Sequence, residues 1–313
     1  MKAFGIQNYG PPRVIEAFTK DEPIPKDNQV KIKVSAFAIN PYDAALRRGD
    51  FKNERQVKFP FILGSDLVGQ IVEVGPAIQN YQVGDFVIDH RSSGAYSEYV
   101  TAGPAKLMPL PAGLPLDKAA SLPTPGIAAF QAWHNFATIT PDAVIGIVGV
   151  GGAVGSLLAQ IAHHAGHRVI GIANSRHHDF AQKINIDQFA AYDQPSTQQP
   201  WQDQADVVFN AIFSGADHRL SEQLVKPDGQ VIYFNAPVEN DVSAEKSFNQ
   251  TIVGYRPELK DKAAFDFWSQ FISEHPLELA VQRTFKFEQD AIIDAHQLIE
   301  DRHEGKLVVW VNA

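Results

Sequence analysis

Residues 30–38, VKIKVSAFA, alternate apolar and polar side chains, the two-residue period of a strand with one buried face. LVGQIVEV at residues 67–74 and the short run at 86–88 repeat the pattern. Pro11, Pro12, Pro23, Pro25, Gly64, Gly75 and Gly84 cut the surrounding chain into short pieces. Many short strands separated by turn residues predict a barrel-like β domain over roughly the first 118 residues. Residues 110–125, with prolines at 111, 115, 123 and 125, predict a transition between domains.

Beyond it the rhythm changes. Apolar runs at 143–148, 168–173 (RVIGIA), 205–209 (ADVVF) and 230–234 (QVIYF) are separated by helix-sized segments. Strands alternating with helices predict parallel strands in a doubly wound sheet. Residues 258–274 predict an amphipathic helix, with Phe265, Trp268 and Phe271 on its core-facing side. KLVVWV near the end predicts a closing strand that completes the β domain. The fold class expected is therefore α/β, a β-rich domain plus a doubly wound parallel sheet. The expected boundaries are 1–119, completed by 256–313, and 120–255. QPSTQQPWQDQ, residues 194–204, reads as a polar surface loop.

VIGIVGVGGAVGSLLAQIA, Val144 to Ala162, carries no charge and is long enough to span a membrane. Its glycines argue otherwise, because each costs about 1 kcal/mol inside a helix. A strand, the turn GVGGAVG at 149–155, a helix stopping near Gly166 and a second strand are the layout of a dinucleotide site. Gly149, Gly151, Gly152 and Gly155 allow a sharp turn. The amides there, with those of Ala153 and Val154, then face a diphosphate at the positive end of a helix. A purely structural glycine turn and a membrane span are the alternatives.

Composition narrows the choice. The 313 residues are 44% hydrophobic and 20% charged, with net charge −9 from 27 basic and 36 acidic side chains. That balance opposes nucleic acid or an anionic membrane surface as the main partner. No cysteine is present, so disulfides and thiolate metal sites are excluded. MKAFGIQNYG has no apolar signal-peptide core, and the cytoplasm is the expected location.

Cofactor choice follows from the end of the second strand, where an acid usually binds the ribose 2′-hydroxyl of NAD. Here the chain reads Ala173, Asn174, Ser175, Arg176, His177, His178, and the first acid is Asp179. Ser175 and Arg176 suit a 2′-phosphate, so NADPH is expected over NADH. The alternative for Arg176 is a solvated surface residue.

These segments resemble the zinc-free medium-chain dehydrogenase/reductases, specifically the quinone oxidoreductase (ζ-crystallin-like) group. The resemblance is carried in order by NPYDAALRRG (40–49), LGSDLVGQIVEVGPAIQNYQVGDFV (63–87), GAYSEYV (94–100), PTPGIAAF (123–130), the glycine turn, LVKPDGQVIYF (224–234) and GKLVVWV (305–311). It implies a GroES-like β domain with a Rossmann domain inserted, and a homodimer. Zinc-containing members carry Gly-His-Glu where this chain has Gly64, Ser65 and Asp66, so the resemblance implies no metal site. It implies metal-free transfer of hydride to a small-molecule electrophile, a quinone or α,β-unsaturated carbonyl. It assigns Asn40 and Thr124 to the nicotinamide or the substrate oxygen, Tyr192 to the adenosine phosphate and Asn235 to the nicotinamide end, with Lys183 either a further contact or a residue of the helix face. Asn40 also suits a plain turn before Pro41, and Thr124 a loop hydroxyl. Quinone oxidoreductases often have a tyrosine where this chain has Ala45, with Tyr42 nearby at a different position. That departure keeps open a second reading, an NADPH-binding redox sensor or structural protein with little catalysis.

His163 and His167 share a helix face, but no carboxylate completes a ligand set, and a structural role is expected. His177 and His178 border the expected 2′-phosphate position or lie in a solvated loop.

Overall fold

The computed structural model describes residues 1–194, 201–214, 217, 219–236, 246–254, 256, 258–301 and 304–311. Residues 195–200 of the expected polar loop lie outside the described residues.

Two compact units divide the chain, Met1–Thr124 with Lys260–Ala313, and Pro125–Leu259. In chain order the first contains β1 (Lys2–Ile6), β2 (Ile15–Thr19), β3 (Val30–Ile39), α1 (Pro41–Arg48), β4 (Phe61–Ile62), β5 (Asp66–Val74), β6 (Phe86–His90), β7 (Tyr99–Ala102), β8 (Leu107–Pro109) and α2 (Leu116–Ser121). Helix α3 (Pro123–Gln131) leads into the second unit. That unit holds β9 (Ile145–Val148), α4 (Ala153–His164), β10 (Val169–Ala173), α5 (His178–Lys183), β11 (Gln188–Ala191), β12 (Ala205–Asn210), α6 (Leu220–Leu224), β13 (Val225–Tyr233) and β14 (Asn249–Ile252). The chain then returns to the first unit through α7 (Asp261–Glu274), β15 (Val281–Lys286), α8 (Gln289–Glu300) and β16 (Lys306–Trp310).

In the first unit β1, β2 and β4 form a small sheet, and β3, β5, β6, β8, β15 and β16 a larger one with β7 also on β3. Phe4, Ile32, Phe37, Leu67, Tyr96, Ile292 and Val309 are among the buried side chains of its core. The closing strand β16 runs antiparallel to β3, with Leu307 opposite Ile39. This register brings residue 306 next to residue 40, just past the end of β3. Helix α1 starts there because Pro41 suits the first helical position and the Asp43 carboxylate accepts the Asn40 backbone N–H at 2.9 Å. Gly49 closes it in the left-handed region, at φ 87°.

The proline-rich stretch at 110–125 contains α2 and the start of α3. Pro115 precedes the first residue of α2, and Pro123 and Pro125 fall in the first turn of α3. The missing N–H costs nothing in a first turn, which has no intrahelical acceptor.

The second unit has a six-stranded sheet in the order β11-β10-β9-β12-β13-β14, every neighbouring pair parallel. Strand β9 is wholly buried, as an apolar run with no polar face must be. The charge-free run at 144–162 is thus a strand, a turn and a twelve-residue helix. No described helix is long and apolar enough to cross a membrane. His167 bonds through Nδ1 to the Ala143 carbonyl at 3.0 Å.

Candidate functional site

Strand order in the second unit reverses between β9 and β12, where an open parallel sheet leaves a crevice at its carboxyl ends. The glycine turn leaves β9 at that point. Gly149 has φ 85°, a conformation that favours glycine. Gly152 is the N-cap of α4, and Ala153 and Val154 are its first two residues. The first helical bond of the turn is from the Ser156 amide to the Gly152 carbonyl, 2.9 Å. The amides of Ala153, Val154 and Gly155 precede it and have no acceptor within the helix. Gly155 lies against the turn itself: a Cβ there would sit 2.3 Å from the Gly149 carbonyl oxygen. Gly151 lies against the His177 imidazole, 2.4 Å from a built Cβ to its Cγ. These residues fit a diphosphate at a helix N-terminus: the glycines let backbone approach it, and the His177 ring borders the turn at Gly151.

Ser175, Arg176 and His177 form one 3-10 turn after β10, capped by the Asn174 side chain. The Ser175 amide and hydroxyl both donate to the Asp193 carboxylate, each at 2.7 Å. Those bonds hold the Asp193 pKa below the usual carboxylate value, aided by the Arg176 charge. The Tyr192 amide donates to the Ala173 carbonyl at 3.1 Å, so the ends of β10 and β11 lie together. Ser175, Arg176 and Tyr192 therefore share one corner of the sheet. The Asn235 side chain, after β13, donates to the Phe213 carbonyl at 2.6 Å. Lys183 is the last residue of α5.

In the first unit, Asn40 and Thr124 meet on one carboxylate. Asn40 Nδ2 donates to Asp66 Oδ2 at 2.9 Å and lies 3.4 Å from Thr124 Oγ1. Thr124 donates its hydroxyl to Asp66 Oδ1 at 2.6 Å, and its amide lies 3.1 Å from both carboxylate oxygens. On the other side of Asn40, Lys306 Nζ donates to Oδ1. Asn40, Asp66 and Lys306 are all buried, so each bond is shielded from competing water.

The cluster extends inward. Asp43 accepts the Ser65 hydroxyl at 2.7 Å and, at a long 3.5 Å, the Tyr96 hydroxyl. Burial pushes Asp43 up to a pKa of about 6, against the lowering effect of the Ser65 and Asn40 bonds. Tyr96 also lies 3.1 Å from His296 Nε2, and Arg47 Nε is 3.4 Å from His296 Nδ1. Arginine can only donate, so His296 carries its proton on Nε2 and donates to Tyr96. Burial and the Arg47 charge push His296 down to about 3, keeping it neutral. Arg47 itself is paired with Glu300.

Ala45 is buried on α1. The Tyr42 hydroxyl accepts from Arg55 Nη1 at 2.8 Å and its ring leans on Phe51.

Asp66, Asp43, Lys306 and Asp193 were not expected as site members. Asp43 and Lys306 carry a faint sequence signal, a charged residue inside an apolar element. Asp193 has none, because its partnership with Ser175 depends on strand pairing.

The family described as "Alcohol dehydrogenase GroES-like domain" matches residues 26–112, and that described as "Zinc-binding dehydrogenase" matches residues 184–309. The chain belongs to the medium-chain dehydrogenase/reductases. It is 27% identical over 256 residues to "NAD(P)H oxidoreductase RTN4IP1, mitochondrial" of Dictyostelium discoideum, covering 76% of this chain and 73% of that protein. It is 32% identical over 177 residues to the human quinone oxidoreductase, covering 56% of this chain and 53% of that one. The match thus spans about half the length of the human relative. The quinone oxidoreductase structure from Coxiella burnetii superposes on 100% of this chain and 99% of its own, with a TM-score of 0.80 and 27% identity.

Proposed function

We propose that this family member is an NADPH-dependent reductase that transfers hydride, without a metal, to a quinone or an α,β-unsaturated carbonyl. The observation that carries the cofactor half is the glycine turn. A Cβ at Gly155 would collide with Gly149, and the α4 amides are left for an anion. The names of its relatives support a nicotinamide oxidoreductase, and one of them a quinone acceptor. Arg176, beside the Ser175–Asp193 pair, is assigned to the 2′-phosphate, with Tyr192 at the adenosine side. Asn235 is assigned to the nicotinamide end.

When bound, NADPH supplies the hydride. The chain's own contribution is to bind, orient and exclude water. Asn40 and Thr124 are assigned to the substrate oxygen or the nicotinamide, where an N–H or O–H would stabilise developing negative charge. One Asn40 N–H and the Thr124 hydroxyl are spent on Asp66 in this structure, so engagement with substrate falls to the second Asn40 N–H, 3.4 Å from Thr124, or to exchange of those bonds. Reduction consumes one hydride and one proton, and solvent supplies the proton.

Zinc, which the name of one matching family implies, does not fit this donor set. The chain has no cysteine, Ser65 is committed to Asp43, and the Lys306 ammonium already lies on Asn40. A cation there would face a fixed positive charge. Metal independence is part of the proposal, as are the homodimer and the cytoplasmic location.

The test mixes purified protein and NADPH with a panel of quinones and enals while following absorbance of the reduced cofactor. Turnover unaffected by a chelator supports the proposal. Tight NADPH binding without oxidation across the panel would instead favour the redox-sensor reading, which the commitment of Asn40 and Thr124 to Asp66 keeps in view.

A further inference from the structure

Lys306 is a buried ammonium on the closing strand, 266 residues from the asparagine it touches. Burial lowers its pKa from the ordinary lysine value, and the charges of Asp66 and Asp43 pull it back up. An ammonium taken out of water costs several kcal/mol unless partners compensate. Its position is set by backbone register. Leu307 pairs with Ile39 across β16 and β3, so the next residue out on each strand is Lys306 and Asn40.

A carboxamide has two chemically opposite ends. Lysine donates only, so the bond to Asn40 fixes Oδ1 toward Lys306 and Nδ2 toward Asp66 and Thr124. The reverse orientation would set an NH2 group against the ammonium and a carbonyl oxygen against the Asp66 carboxylate. Both ends would then be repulsive, in a site shielded from water. Asp66 favours the same orientation by accepting from the Nδ2 end, and Lys306 fixes the opposite end.

We propose that Lys306 is a positioning residue: it locks the Asn40 carboxamide so that its N–H groups face Thr124 and Asp66. It does so from the far side of Asn40, without itself reaching the reacting atoms. The proposal rests on the reading that Asn40 serves the substrate oxygen or the nicotinamide. It predicts that the lock acts on turnover rather than on cofactor binding, which belongs to the glycine turn.

The experiment compares Lys306→Met, which keeps the length of the chain but removes the donor, with Lys306→Arg, which keeps a donor-only cation. Steady-state kinetics with a reducible quinone or enal are combined with NADPH titration by fluorescence. Lys306→Met should lower kcat on the order of tenfold to a hundredfold, the worth of a lost buried charge-assisted bond. Its NADPH Kd should stay within about threefold, the scatter of an uncoupled site, and Lys306→Arg should recover a large part of kcat. An unchanged kcat in Lys306→Met, or equal loss in both variants, would overturn the proposal.

A second readout is independent of activity. In 1H–15N spectra of the wild type, the Asn40 side-chain amide, assigned by its disappearance in Asn40→Ser, should exchange slowly with solvent. In Lys306→Met it should exchange faster. Exchange in the wild type as fast as that of exposed asparagines would overturn the lock even if Lys306→Met did not fold. If the wild type leaves NADPH unoxidised with every quinone and enal of the panel, the reductase reading fails while this amide comparison still decides the role of Lys306.

Discussion

Ser175 donates both its amide and its hydroxyl to the Asp193 carboxylate, 2.7 Å each. The acid expected to be missing from the end of β10 is therefore supplied by the residues after β11. It stands in the corner proposed for the 2′-phosphate, where its charge would oppose the preference for NADPH proposed for Arg176. Asp193→Asn should raise affinity for NADPH over NADH on the order of tenfold, because it removes a like charge while keeping the side-chain shape. Arg176→Ala should shift the ratio the other way by a similar factor. Isothermal titration with both coenzymes measures the two ratios, and equal changes for NADPH and NADH would remove Arg176 and Asp193 from the phosphate site.

Gly155→Ala tests the turn. The added methyl would lie 2.3 Å from the Gly149 oxygen, with the Gly149 carbonyl carbon and Val150 Cα both at 2.9 Å. All three are backbone atoms, so the turn itself must open. The expected result is loss of coenzyme affinity by at least about tenfold, with destabilisation of roughly 1–3 kcal/mol. Unaltered binding in a folded variant would show that the diphosphate does not lie on this turn.

Asp66 accepts from the Asn40 amide, the Thr124 hydroxyl and the Thr124 backbone N–H. Asp66→Asn replaces one acceptor oxygen by a donor and sets it against those groups. Thermal denaturation should show a loss of roughly 1–3 kcal/mol, the cost of unsatisfied buried polar groups. Thr124→Val should cost less, since it removes one donor and leaves the others in place. Comparable stability of Asp66→Asn and wild type would mean that Asp66 is not the acceptor that gathers the cluster.

Acid stability should depend on His296. Its folded pKa is depressed from 6.5 to about 3, so its contribution is present above pH 6.5 and is lost as pH falls toward about 3. The slope reaches about 1.4 kcal/mol per pH unit. Asp43 acts in the opposite sense. Its folded pKa is raised from 3.8 to about 6, so its contribution is present below pH 3.8 and is lost as pH rises through 6. The two slopes oppose each other between about pH 4 and 6, and below that range His296 acts alone. His296→Gln preserves an acceptor for Arg47 and a donor for Tyr96. Urea denaturation at pH 7 and pH 4 should show that the variant loses less stability in acid than the wild type. Parallel losses in both would place the titrating group elsewhere.

Much of this was legible in the residue order. The uncharged run at 144–162 became a strand, a glycine turn and a helix because glycine spacing and apolar periodicity are local properties of the chain. The same holds for the Phe265, Trp268 and Phe271 face of α7, all three buried. The helices at Leu116–Ser121 and Pro123–Gln131 had no signal in the prolines, because proline breaks a helix interior but suits its first turn, and only helix boundaries separate the two cases.

Sequence by itself determined the two architectures, the position of the glycine turn and the absence of thiolate ligands, since each depends on residue type at short range. Tertiary structure decided the rest. Strand register set Lys306 beside Asn40, strand pairing set Asp193 beside Ser175, and the fold of the first unit set Asp66 between Asn40 and Thr124 as a common carboxylate. Hydrogen bonds reach only about 3 Å, and no local pattern announces which distant residues a sheet will bring within that range.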